Sequence, residues 1–168
     1  MGQISRKSTV MKKQKPIDNY QSIVKNKKAS FNYTIGETLE AGIALLGTEV
    51  KSLRIHKASI GGVHISIVKN QAVIINLNIS EYQSSKHNNH KPNRKRILLL
   101  HKKQINKLKG LQKLQGITLV PLSIYFNNKG IVKVSIAIAK GKKIHDKREA
   151  AKRKEVAIEL KRAVKHTS

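Results

Sequence analysis

No cysteine occurs in the 168 residues. That removes disulfide staples and every thiolate-held zinc or iron–sulfur site. Tryptophan is absent too, and the aromatics are four tyrosines and two phenylalanines. A core built from this sequence must rest on Ile, Leu and Val. Acids are scarce: nine Asp and Glu stand against 35 Lys and Arg. Paired-carboxylate chemistry therefore has few places to sit. Neither a G-x-S-x-G nucleophile turn nor a G-x-x-x-x-G-K-[ST] phosphate loop is present. These gaps leave a protein that is not an enzyme and needs no cofactor. No apolar run approaches the ~18 residues of a membrane-spanning helix. The first 28 residues carry charge without an apolar stretch, unlike a secretory signal. Arg6 stands where a myristoylation signal wants Ser or Thr. A cytoplasmic protein is the plain expectation.

What the chain has instead is positive charge, a formal +26. A chain so charged repels itself when compact and works best beside a polyanion. Between Val50 and His145 stand nineteen Lys or Arg and one acid, Glu81. The charge thus covers the body of the protein as well as its ends. Nucleic acid fits this better than a membrane surface, because no strongly apolar amphipathic helix is present. The length suits one compact domain with tails.

Residues 1–28 are polar, basic and aperiodic, and read as a disordered arm. Phe31 to Leu46 reads as extended, interrupted by Gly36 and Gly42. Thr48 is placed to cap a short helix, with Glu49 suiting its N-terminal dipole and Gly61-Gly62 near its end. Val63-Ile65-Ile67 and Val73-Ile75-Leu77-Ile79 alternate as two strands about a turn at Asn70-Gln71. Gln83 to Lys95 is a polar loop, and Ile97 to Leu100 a short strand. Ile105, Leu108, Leu111 and Leu114 form the stripe of a helix over 102–115, which Gly116 can end. Two strands follow around an Asn127-Asn128-Lys129-Gly130 turn, with a phase slip beside Pro121 that signals a bulge. Val132, Val134, Ile136 and Ile138 face one way, with Lys133, Ser135 and Ala137 opposite. Half-buried strands with two inserted helices suggest a small antiparallel barrel. From Asp146, which has capping-box spacing to Glu149, a basic helix with an apolar stripe at Val156, Leu160, Ala163 and Val164 is expected only against a partner.

Candidate sites weigh against plainer roles. His87 and His90 lie three apart in a loop without a nearby carboxylate, so solvated loop residues are favoured over a metal site. Arg94-Lys95-Arg96, near Lys91 and Lys102-Lys103, is read as a phosphate-binding run over a merely solvated face. Phe31, Tyr33, Tyr82, Tyr125, Phe126 and Tyr20 are candidates for base stacking, with Phe126 favoured as core by its strand phase and Phe31 favoured for stacking. Glu40 is an acid in an almost acid-free body. It is an ordinary surface residue, an acceptor for RNA donors or a fixing partner for a lysine, and composition does not choose.

Three stretches resemble the SsrA-binding protein family, SmpB. They are Glu40-Ala41-Gly42-Ile43-Ala44-Leu45-Leu46-Gly47-Thr48-Glu49-Val50-Lys51-Ser52-Leu53-Arg54, then Arg94-Lys95-Arg96-Ile97-Leu98-Leu99-Leu100-His101-Lys102, then Leu119-Val120-Pro121-Leu122 running through Tyr125-Phe126 and Lys133-Val134 to Ala139-Lys140-Gly141-Lys142-Lys143-Ile144-His145-Asp146-Lys147-Arg148. The resemblance implies a mainly β, OB-like closed antiparallel barrel with about three helices and a basic C-terminal tail. It implies an arm over 1–28, an RNA-binding barrel over 29–140 and a tail over 141–168 that is helical on the ribosome. It implies binding of transfer-messenger RNA (tmRNA) through its tRNA-like domain, delivery with elongation factor Tu to stalled ribosomes, and a tail occupying the empty message channel and decoding centre. A monomer is expected. By motif, Glu40, Leu99 and Lys133 are implied RNA contacts, beside Phe31, Tyr33, Arg94 and Arg96 from the reading above. Gly141, His145, Asp146, Lys147 and Arg148 are the implied ribosome-facing set, joined by Lys142 and Lys143, whose charge suits phosphate. The chain departs from the family at Ser30-Phe31-Asn32-Tyr33-Thr34, at Gly62-Val63-His64 and at Lys91-Pro92. A basic structural ribosomal protein with an OB-like barrel is the competing expectation.

Overall fold

The structure, a computed structural model, describes residues 21–85 and 88–143. These residues are mainly β, with three helices. In order they form β1 (Gln21–Lys25), α1 (Ala29–Asn32), β2 (Tyr33–Ile43), α2 (Gly47–Arg54), β3 (Ala58–Ser59), β4 (His64–Val68), β5 (Gln71–Ile75), β6 (Asn78–Ile79), β7 (Arg96–Leu99), α3 (Lys102–Gln112), β8 (Ile117–Phe126) and β9 (Val132–Gly141). Seven strands hydrogen-bond in the order β1-β8-β4-β5-β7-β2-β9, with β8 also paired to β9, and β3 pairs with β6. All these pairings are antiparallel.

The long strands follow from alternation. Val132, Val134 and Ile136 of β9 enter the main core with Ile65, Ile74, Leu98, Leu119 and Ile124. Leu108 of α3 enters the same core from outside the sheet. Beyond Ile136 the reverse face is also covered: Ala137 and Ala139 are buried, and Ala139 packs with Ala29 and Val120 beside Tyr33, Ile35 and Leu122. Two faces of one strand thus end up inside. The predicted slip near Pro121 appears as a register shift between Pro121 and Ser123. The Asn127 side chain accepts hydrogen bonds from the Lys129 and Ile131 amides and so closes the β8–β9 turn.

Several expectations are corrected. The arm predicted over 1–28 loses its end to the folded body, because Val24 and its neighbours in β1 pair with β8 and Ile23 is buried; residues 1–20 lie outside the described residues. Phe31 sits in the helical turn α1 and does not open a strand. Thr48 does not cap α2: the Glu49 carboxylate accepts the Leu46 amide at 2.7 Å, and the Thr48 hydroxyl faces His90. The helix stops at Arg54, where His56 takes a positive φ, well before Gly61-Gly62. The β4–β5 turn falls on Lys69 and Asn70, both at positive φ, one residue earlier than predicted. Asn76, also at positive φ, separates β6 from β5. His87 and the tail helix, with Asp146, Glu149, Val156, Leu160, Ala163 and Val164, lie outside the described residues.

Candidate nucleic-acid interface

One row of register partners runs across four strands: Tyr125 on β8 faces Lys133 on β9, Lys133 faces Gly42 on β2, and Gly42 faces Leu99 on β7. Side chains two residues apart on a strand share a face, so Glu40 stands beside this row. Its carboxylate is 3.3 Å from the Lys133 ammonium and accepts a hydrogen bond from the Tyr125 hydroxyl. The implied RNA contacts Glu40, Leu99 and Lys133 therefore meet around one open groove, whose wall continues through Leu98, Leu100, His101 and Gln104. Leu99 is 59% exposed and is the exposed large apolar side chain that this groove presents. Gly42 makes room for it, since a Cβ at Gly42 would come 3.2 Å from the Leu99 Cβ. The alternatives left open for Glu40 are narrowed: it does hold a lysine, and its side chain stays 43% exposed.

Arg94 and Arg96 behave differently from the predicted phosphate run. They are two apart on the approach to β7 and converge on Glu49. Arg96 Nε donates to Glu49 at 2.7 Å, and its other donors reach the carbonyls of Leu77, Pro92 and Arg94. Arg94 donates to both Glu49 oxygens and to the Ala44 carbonyl. Arg96 is 0% exposed. It is thereby corrected from an RNA contact to an interior residue, because its guanidinium is enclosed and bonded to protein acceptors. Arg94 keeps a partly open face. Burial pushes the Glu49 carboxyl up, but the hydrogen bonds from Arg94, the Leu46 amide and Arg96 outweigh it and hold it below the ordinary carboxylate value. Burial lowers Arg96, with the Glu49 bond acting against it; an arginine starts so high that it stays cationic. This knot ties α2 and the end of β2 to β7, so it fixes the strands that carry Gly42 and Leu99.

Phe31 and Tyr33 lie elsewhere. Tyr33 pairs with Gly141, nine residues along β2 from Gly42, a separation of about 30 Å at strand rise. Tyr33 packs on the second apolar cluster, while Phe31 is exposed. Here the final strand leaves the sheet. The Lys142 amide donates to the Asn32 carbonyl at 3.1 Å and its ammonium to the Ser30 carbonyl at 2.9 Å. Gly141, Lys142 and Lys143 are thus at the edge of the folded body; His145, Asp146, Lys147 and Arg148 lie outside the described residues. Beside α1 a second groove is lined by Lys25, Lys27, Lys28, Gly61, Gly62 and His64.

Both ring nitrogens of His90 are engaged, with Thr48 Oγ1 at 2.9 Å and the Ile79 carbonyl at 3.0 Å, which gives it a structural role. Among the described residues no group of three or more His, Asp or Glu could hold a metal. No helix there is long and apolar enough to cross a membrane. Sequence reasoning missed Gly42 as a member of the groove, and Tyr125, a stacking candidate in the sequence, is corrected: its ring is buried and only its hydroxyl reaches the groove's Glu40. The pairing of β2, β7, β8 and β9 brings both to Glu40 and Lys133, and no local pattern does.

A family model described as SmpB protein matches residues 23–166. An SsrA-binding protein of Wolbachia pipientis subsp. Culex pipiens is 51% identical over 144 residues, 86% of this chain and 97% of that one. An SsrA-binding protein of Rickettsia bellii is 53% identical over 133 residues, 79% of this chain and 88% of that one. A solved chain described by the words "tmRNA-SmpB: a journey to the center of the bacterial ribosome" superposes with a TM-score of 0.63 at 44% identity, covering 76% of this chain and 93% of that one.

Proposed function

The chain belongs to the SmpB family, and from that premise we propose that it binds tmRNA and delivers it to stalled ribosomes for trans-translation. The observation that supports this most is the meeting of Glu40, Leu99 and Lys133 around one groove, although they come from three strands. The groove offers what a folded RNA needs: a cation for phosphate, an exposed apolar side chain for a base or ribose, and an acceptor for hydroxyl or amino donors. Arg94 adds charge at the edge. Phe31 and the second, lysine-lined groove take RNA at the opposite end of β2, with Tyr33 supporting them from the apolar cluster.

The body is an OB-like closed barrel over residues 21–140, a reading supported by the pairing of β8 with both β4 and β9. The tail, 141–168, enters the empty message channel and becomes helical there, with Gly141, Lys142, Lys143, His145, Asp146, Lys147 and Arg148 facing the decoding centre. Its ten Lys and Arg find their counter-charge in ribosomal RNA. The protein acts in the cytoplasm as a monomer, without catalysis of its own, and travels with elongation factor Tu. Reconstituted translation of a message lacking a stop codon tests this. The nascent peptide should acquire the tmRNA-encoded tag only when the chain is added. Untagged peptide in its presence, with every other factor active, would overturn the reading.

A further inference from the structure

We infer that Tyr125 is a positioning residue of the RNA groove, holding the Glu40 carboxylate in the orientation that accepts hydrogen bonds from RNA. The inference rests on the groove's role in binding tmRNA. Tyr125 is buried, so its ring cannot stack on a base. Its hydroxyl has one hydrogen to donate, and that hydrogen goes to Glu40 Oε2. The other carboxylate oxygen, Oε1, takes the Lys133 ammonium. A carboxylate has about four acceptor positions, so two remain for donors arriving through the groove.

The arrangement solves two physical problems. A glutamate beside RNA is repelled by phosphate unless its charge is compensated, and Lys133 lies 3.3 Å away. A free glutamate also loses rotamer freedom when it is fixed on binding. An enclosed tyrosine at a set register position, opposite Lys133, fixes the carboxylate beforehand. Oriented in this way, Glu40 favours the donor groups of RNA, the ribose 2′-hydroxyl and exocyclic base amines, over bare phosphate. It contributes selectivity where the lysines contribute charge.

The test uses the full chain as wild type, Tyr125→Phe, Glu40→Ala and the double variant. Each is titrated with tmRNA and with a scrambled RNA of equal length at one salt concentration, and thermal midpoints are measured in parallel. Tyr125→Phe keeps the ring, and Glu40 is open enough for water to replace the lost bond, so the midpoint should stay within about 2 °C. Losing the bond that orients Glu40 should weaken tmRNA binding about 2- to 13-fold, the net worth of an ordinary hydrogen bond, with little change for scrambled RNA. In the Glu40→Ala background the same substitution should cause no further loss, because Tyr125 acts through Glu40. Wild-type affinity for tmRNA in Tyr125→Phe would overturn the inference. So would a loss that adds in full to that of Glu40→Ala, or an equal loss for both RNAs. If the wild type itself does not prefer tmRNA, the proposed function fails first, a result plainly different from an unaffected variant.

Discussion

Removing the Glu49 carboxylate leaves two guanidiniums together, one of them fully enclosed. Arg94 and Arg96 both donate to it, and neither has another acidic partner among the described residues. Breaking one side of a buried ion pair costs about 3–5 kcal/mol. Glu49→Gln should destabilise the fold by an amount of that order, measured by urea unfolding. The pH dependence has a definite sign. The folded carboxyl lies below its ordinary value of 4.5, so its contribution is present above that value and is lost as pH falls through the lower, folded value. Wild-type stability should therefore fall below about pH 4.5 more steeply than that of Glu49→Gln. This knot is hidden from a linear reading. Arg94-Lys95-Arg96 is a basic run on paper, and only the fold reveals that Arg96 turns inward to an acid 47 residues away. Glu40 shows the converse: the family resemblance marks it in the sequence, and its partners Tyr125 and Lys133 come with the register.

At the scale of elements, β2 carries the site. Gly42 leaves Leu99 free to lie over it. In Gly42→Ala the added Cβ meets the Leu99 Cβ, which no rotamer change moves, so β2 and β7 must give by a few tenths of an ångström and stability should fall modestly. The groove should change shape and tmRNA binding should weaken, about threefold or more, by titration. Leu108 is different. It is fully buried where α3 meets the core, and Leu108→Ala should cost about 2–5 kcal/mol, read as a lowered midpoint of denaturation. The α3 stripe and the β9 alternation are legible in the sequence because burial on one face imposes a period. The α1 turn is not: it is four residues long, and the packing of Ala29 against Val120 and Ala139 decides it. β1 escapes notice for a related reason. Its pattern is short and lies within polar residues, and pairing with β8 makes it a strand.

At the scale of the whole molecule, charge sets the conditions of binding. If about six phosphates are neutralised, affinity for tmRNA should fall with salt at a log–log slope of roughly −4 to −5. The body and tail should also separate. Gly141 is still paired with Tyr33, and Lys142 is bonded to Asn32 and Ser30, so a clean division falls after Lys143. A chain stopped there should bind tmRNA within about twofold of the full chain, since the groove is formed by β2, β7, β8 and β9. It should fail to support tagging on stalled ribosomes. The domain arrangement is readable in outline from the change of pattern at Gly141, while the fastening of Lys142 to α1 moves the useful boundary three residues onward.

Recovery of the chain from its own cells, followed by sequencing of the RNA that comes with it, tests the central claim most directly. The protein should leave ribosomes in a high-salt wash and carry tmRNA as its dominant RNA. A chain that stays with salt-washed ribosomes and yields ribosomal RNA fragments without tmRNA would contradict the account and identify a structural component of the ribosome.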